Sequence, residues 1–206
     1  MIDYIVKQIP TRLAKEYIHK NHYSYGSHNA PSPCYGLFDN DELIGVCMFA
    51  TPCSENVRAS IFGKENKDRV TELHRLHILD VTPRNAESWF VSRCLTLLLN
   101  EKPQIRCVVA FSDPTENHIG TIYRALNAKY YGRSGKATFY LDETNRLRHP
   151  RQCGKNITKQ EALAMGLTPT KREGKYRYLW IIGQNKSERK YWHKQLKVDI
   201  LEYPKG

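Results

Sequence analysis

Ile105-Arg106-Cys107-Val108-Val109-Ala110-Phe111-Ser112-Asp113-Pro114 is the stretch on which the reading of the fold turns. Ile105 to Phe111 is a short apolar run of strand length, and Ser112-Asp113-Pro114 punctuates it sharply. Just upstream, Pro83 to Ser88 reads as a turn leading into a helix, with Trp89, Phe90, Cys94, Leu97 and Leu98 on its buried side. Just downstream, the pattern predicts a second helix over roughly Asn117 to Lys129, with Ile119, Ile122, Tyr123 and Leu126 along its inner side. Before both, Val70 to Leu79 reads as a strand. Strand, helix, strand, helix in the middle of a chain argues for an α/β fold.

Val70 to Leu79 is unusual for a central strand. Thr71, Leu73, Arg75, His77 and Leu79 alternate onto one face, and Glu72, His74, Leu76 and Ile78 onto the other. So many polar groups imply that one face lines a cleft or that the strand lies near an edge.

Working outward, Thr11 to Lys20 reads as an opening helix with Leu13, Tyr17 and Ile18 on one stripe. It gives way to a loop at Asn21-His22-Tyr23-Ser24-Tyr25-Gly26. Tyr35 to Phe38 and Glu42 to Ala50 flank Asp39-Asn40-Asp41 and suit a hairpin, with Gly45 marking a bend or bulge. Residues 53–68 are polar and read as loop. In the last third, Ala137 to Leu141 reads as a strand and Asn145 to Gly154 as a basic loop. Thr158-Lys159-Gln160-Glu161 fits a capping box for a short helix ending near Gly166. Tyr176 to Ile182 is strongly β-prone, and a helix follows from about Ser187 to Leu196.

The chain has 206 residues, 40% of them hydrophobic, which suits one domain with a real core. The apolar content is too high for a disordered chain, and no run approaches the roughly 18 residues of a membrane span. No signal-peptide pattern opens the sequence, so a cytoplasmic protein is expected. The six cysteines form no C-x-x-C pair, which disfavours zinc knuckles and fingers. Cys47, Cys94 and Cys107 lie in apolar runs and read as small buried hydrophobes.

The net charge of +11 is unevenly placed. Residues 1–132 hold 15 Lys and Arg against 14 Asp and Glu, whereas residues 133–206 hold 17 against 7. A single domain with a basic extension at about 133–206 is therefore expected. A field of this sign attracts polyanions, with nucleic acid as the expected partner. Arg146, Arg148, His149 and Arg151 form one cluster, and Lys171, Arg172, Lys175 and Arg177 a second.

Three polar groups suggest chemistry: His22-Tyr23 past the opening helix, Asp113 past an apolar strand, and His118 with Tyr123 on the helix beyond. Sites in open α/β sheets gather beyond the carboxyl ends of strands, where this reading puts Asp113. Each residue also has an ordinary structural explanation. Asp113 can cap a turn, Tyr123 can be a core aromatic, and His118 can be a surface residue.

Glu72-Leu73-His74-Arg75-Leu76, the segment Asn85 to Leu98, Val109-Ala110-Phe111-Ser112-Asp113, His118-Ile119-Gly120-Thr121-Ile122-Tyr123-Arg124-Ala125-Leu126-Asn127 and Tyr130-Tyr131-Gly132 together resemble the phage Mom DNA-modification family. The match is densest over about residues 70–132, and His22-Tyr23 falls where that family has a His-Tyr pair. The resemblance implies a fold similar to the GNAT acyltransferases, a mixed central sheet flanked by helices. It implies conversion of adenine in duplex DNA to an N6-carbamoylmethyl-type derivative, which shields phage DNA from restriction. It implies catalytic roles for His22, Tyr23, Asp113 and Tyr123, and an iron-type metal, Fe(II), held by the same four. Tyr123 as a general acid without a metal is the competing reading.

The candidate substrate and DNA contacts are His118, Arg75, Arg84, Asn85, Ser88, Arg146, Arg148, Arg151 and Lys175. Tyr23, Tyr25 or Trp89 are candidates to stack on an extruded base. GNAT enzymes hold the pyrophosphate of coenzyme A on a glycine-bearing loop. The turn here, Pro83 to Ser88, has no glycine and carries Glu87, which opposes acyl-CoA, although Arg84 can offset it. A transferase acting on RNA or a protein amine, and a non-catalytic nucleic-acid binder, remain alternatives.

Overall fold

The computed structural model describes residues 4–22, 30–116, 118–148, 150–153 and 157–204. In chain order the elements are β1 (Ile5–Gln8), α1 (Thr11–Asn21), β2 (Cys34–Asp39), β3 (Glu42–Ala50), α2 (Glu55–Phe62), β4 (Val70–Ile78), α3 (Ala86–Glu101), β5 (Cys107–Ser112), α4 (Thr121–Ala125), β6 (Lys129–Arg133), β7 (Ala137–Leu141), β8 (Leu147–Arg148), α5 (Pro150–Cys153), α6 (Lys159–Ala164), β9 (Thr168–Arg172), β10 (Tyr176–Ile181) and α7 (Lys186–Lys194). Among the described residues no helix is long and apolar enough to cross a membrane.

Seven strands form one mixed sheet in the order β1-β2-β3-β4-β5-β10-β6, and β8-β7-β9 form a small second sheet. Helices cover both faces. Phe90, Val91, Cys94 and Leu98 of α3 pack on Tyr35, Leu37, Phe49, Val108 and Ala110. On the opposite face, Ala14, Tyr17 and Ile18 of α1 meet Val46 and Met48. Beside them, Ile61, Phe62 and Trp192 cover Val109 and Leu179. The α/β expectation, a central sheet flanked by helices, holds.

Two features open this sheet at its centre. In the β3–β4 ladder Met48 lies opposite Arg75 and Phe49 opposite Leu73, so His74 is an extra residue. Such a bulge resets side-chain alternation. Leu73 and Leu76 therefore join the α3-side core, three residues apart, and the unbroken alternation expected from 71 to 79 is corrected. The second feature is the one parallel pairing among the described residues. β4 and β5 are bonded only from Val70 opposite Cys107 to Leu73 opposite Ala110. Beyond that point the strands part, and a gap runs into the sheet from their carboxyl ends.

Other expectations are corrected too. The polar stretch 53–68 is not loop but α2 and a 3₁₀ helix over Lys64–Arg69. Its polar composition reflects a short helix with one buried edge, at Ile61 and Phe62. The helix expected over Asn117 to Lys129 shrinks to five residues, because Gly120 (φ +78°) and Asn127 (φ +58°) take left-handed backbone that ends it on both sides. Asn127 turns the chain into β6, which starts where the expected helix was to end. The expected loop Asn145 to Gly154 holds β8 and α5. Trp89 is 38% exposed and stacks with Arg93 instead of joining the core.

Residues 176–181 do not extend past the domain. β10 sits between β5 and β6 within the sheet. The chain between β6 and β10, residues 134–175, is thus an insertion between two paired strands, Arg133 lying opposite Tyr176. It has a small core of Tyr140, Ala162 and Leu167. The capping box at Thr158 forms as expected, with Thr158 Oγ1 accepting from the Glu161 backbone N–H and Glu161 accepting from the Thr158 N–H.

Candidate active site

The parted ends of β4 and β5 form the walls of a cavity of about 930 Å³. It is lined from β4 by Glu72, His74, Arg75 and His77, and from the β5 end by Ser112 and Asp113. His118 lines it from the segment leading into α4, Tyr123 from α4 itself, and His22 from the C-cap of α1. Ser134 and Lys175, the two ends of the insertion, complete the mouth. Residues scattered from 22 to 175 converge because the parallel pair splits.

Of the residues expected at the site, His22, Arg75, Asp113, His118, Tyr123 and Lys175 share this cleft. Arg84 and Asn85 are exposed at the start of α3, where Ser88 Oγ donates to the Asn85 carbonyl; Glu87 is the cleft-lining residue there. Arg146 and Arg148 sit on the insertion, Arg148 Nε donating to Asp142 at 2.8 Å. Tyr23, Tyr25, His149 and the Arg151 side chain lie outside the described residues.

Asp113 is 5% exposed and fully engaged. Its Oδ1 accepts from the Thr115 hydroxyl at 2.6 Å and from the Thr115 N–H at 3.1 Å. Its Oδ2 faces Arg172 at 3.5 Å and Lys175 at 3.6 Å. Burial pushes its pKa up, but the Thr115 hydroxyl, Lys175, the Thr115 N–H and Arg172 outweigh that and hold the carboxyl below its usual range. A carboxylate stabilised in this way is a weak base. Arg172 also donates to Glu116 at 2.8 Å, so Asp113 and its neighbours clasp the strand that leaves the insertion.

Tyr123 packs its ring on Tyr178 and Trp180, with centroids 5.5 and 5.4 Å away. It is both a core aromatic and a cleft residue. Gly120, which lines the same wall, lies against the Tyr178 ring, where an added Cβ would come within 2.5 Å. The Tyr178 hydroxyl in turn donates to the Ile119 carbonyl.

Sequence reasoning singled out the polar β4 strand without assigning Glu72, His74 or His77 to the site. Glu72 Oε1 and His74 Nδ1 are 3.2 Å apart with both side chains largely buried. His77 Nδ1 lies 3.3 Å from the Tyr17 hydroxyl. The signal was the excess of polar groups on a central strand; the bulge decides which of them meet.

The iron site implied by the resemblance does not fit the described donors. Among the described residues no three His, Cys, Asp or Glu side chains group to hold a metal ion. Tyr23 is outside them, Tyr123 is packed among aromatics, and Asp113 already faces two cations, whose charge opposes a third.

Set beside known proteins, the whole chain has a match. The model of the Mom protein family covers residues 3–205. The chain belongs to the Mom protein family. Among curated relatives, the methylcarbamoylase mom of Escherichia phage Mu is 29% identical over 135 residues, 66% of this chain and 56% of that protein. The chain thus spans little more than half the length of the curated relative it matches. In fold, it is similar to Arabidopsis thaliana NAA60 in complex with acetyl-CoA, with a TM-score of 0.55 and 10% identity over 87% of this chain and 98% of that one. It is also similar to the spermidine/spermine N-acetyltransferase SpeG of Vibrio cholerae, with a TM-score of 0.50 and 9% identity over 93% and 99%. The acetyltransferase-like fold expected from the resemblance is therefore the fold the chain has.

Proposed function

We propose that this protein is a DNA-modifying transferase that acts in the host cell's cytoplasm and converts adenine in duplex DNA to an N6-carbamoylmethyl-type base, protecting phage DNA from restriction. The observation that carries the reading is the polar cleft between the parted strands, in a chain whose relative is named a methylcarbamoylase. A cleft of this size accepts a nucleobase with part of its sugar. The amine on C6 of adenine is paired inside the duplex, so the base must leave the stack to reach the cleft. Lys175 at the mouth and the basic residues of the insertion supply phosphate contacts that hold the duplex over it.

The chemistry needs a proton acceptor, because the amine loses a proton as its nitrogen bonds to the electrophilic carbon of the donor. The Glu72–His74 pair suits this better than Asp113. Glu72 Oε1 pairs with His74 Nδ1 at 3.2 Å, and since His74 Nε2 is enclosed in the wall, the Glu72 carboxylate is the group that takes the proton. The Tyr123 hydroxyl supplies a proton to the leaving group. Asp113 keeps the cleft wall and the insertion in register.

The start of α3, where Glu87 lines the cleft, is the proposed donor side. The helix start there fits a diphosphate poorly. Asn85 takes left-handed backbone at the N-cap, and Glu87 puts a carboxylate on the cleft within the first turn.

Mass spectrometry of nucleosides from cells expressing the protein tests the reading. A new adenine adduct in DNA is expected. Adducts confined to RNA or protein would overturn it.

A further inference from the structure

Tyr17 of α1 is buried, and its hydroxyl donates to the Ile44 carbonyl at 2.8 Å. A phenol has one proton, so toward any other neighbour this oxygen can only accept. That neighbour is His77, whose Nδ1 lies 3.3 Å away with the two rings edge to face at 5.6 Å between centroids. His77 must therefore carry its proton on Nδ1. A neutral imidazole then has its lone pair on Nε2. Burial keeps His77 neutral by lowering its pKa, against a smaller opposing pull from Asp80. Tyr17 stands outside the cleft lining and His77 within it. Nδ1 is taken up by Tyr17, so Nε2 is the ring nitrogen that remains for the cleft.

We propose that the Ile44–Tyr17–His77 chain locks His77 in the Nδ1–H tautomer so that Nε2 accepts a hydrogen bond from an N–H of the acceptor amine, making His77 a positioning residue for that amine. The proposal rests on the adenine reading of the same cleft. An exocyclic amine has two N–H groups. One held by His77 Nε2 fixes the rotation of the amine, so that the other faces the proton acceptor. An amine without N–H groups would leave this nitrogen desolvated and unpaired, which disfavours it. The hydroxyl is what sets the tautomer. Phenylalanine at position 17 would preserve the edge-to-face ring contact and free Nδ1.

Nitrogen-15 NMR of protein labelled at histidine reads the lock directly. Free neutral imidazole favours the Nε2–H form, so a locked Nδ1–H form is distinctive. His77→Leu assigns the signal. The wild type is expected in the Nδ1–H form, and Tyr17→Phe in a mixture or in the Nε2–H form. Adding a duplex oligonucleotide with an unpaired adenine should shift the Nε2 signal. The same duplex with N6,N6-dimethyladenine should not shift it. With modified DNA as readout, Tyr17→Phe should raise KM for the duplex about tenfold, with a smaller change in kcat. A wild-type Nε2–H form, or a tautomer indifferent to Tyr17→Phe, overturns the lock. A lock that forms while adenine leaves Nε2 unmoved overturns the amine contact. Adenine adducts found by mass spectrometry in that case would show that the proposed function survives; their absence would show that both fail.

Discussion

At the scale of single residues, the cleft divides its acids by their surroundings. Asp113 has one oxygen taken by Thr115 and the other facing Arg172 and Lys175. Glu72 instead faces the His74 imidazole at 3.2 Å. Glu72→Gln should therefore lower kcat about 100-fold, the usual scale for loss of acid–base assistance, while leaving DNA affinity unchanged. Single-turnover modification measured beside fluorescence anisotropy checks this. An equal loss of binding and turnover would assign Glu72 to DNA contact instead.

His22 makes a different prediction, about stability. It is 8% exposed, and burial, then Arg75, His77, His118 and His74, push its pKa down to about 3 from an ordinary 6.5. The folded state thus prefers the neutral ring, while the unfolded chain protonates it near 6.5. Stability from this residue is complete above that pH and drains as pH falls toward 3. Urea midpoints should fall from pH 6.5 to pH 4 in the wild type and fall less in His22→Gln. Parallel curves would show that His22 does not contribute to the acid slope.

At the scale of elements, the insertion carries the basic residues proposed to meet DNA phosphates, but they are not equivalent. Arg148 is tied to Asp142, which also accepts from Thr144 and the Arg146 backbone, so it builds the β7–β8 turn. Arg172 clasps Asp113 and Glu116. Arg146, Lys159 and Lys171 are exposed. Neutralising these three should weaken binding equally for all duplex sequences. It should also flatten the salt dependence by about one unit for each phosphate the protein no longer engages. Titrations at several salt concentrations check it. An unchanged slope would route the duplex elsewhere.

At the scale of the whole molecule, β6 and β10 pair directly with Arg133 opposite Tyr176, so the central sheet does not need the residues between them to close. Replacing residues 134–175 by a short hairpin turn should leave a folded sheet by circular dichroism. It should cut DNA affinity at least about tenfold, because the removed segment carries nine Lys and Arg against four Asp and Glu. A chain that fails to fold would mean that the Arg172 clasp is needed to hold the end of β5 in place.

Much of this was legible in the sequence. Ile105 to Phe111 announced a strand, Ser112-Asp113-Pro114 its end, and α3, the hairpin and the capping box carried local signals that act within a few residues. Local signals were outvoted where one backbone angle mattered. Gly120 and Asn127 cut a periodic apolar pattern down to five helical residues. The site itself was half visible, as polar groups on β4 without a stated purpose. What the tertiary structure alone decided was their partners. The bulge at His74 sets which way each β4 side chain points, and the parting of β4 from β5 opens the space between them. Both depend on hydrogen bonds to strands far away in the chain. Composition and local periodicity carry no record of such register, so the sequence by itself could name the fold and several residues of the cleft but not which of them meet.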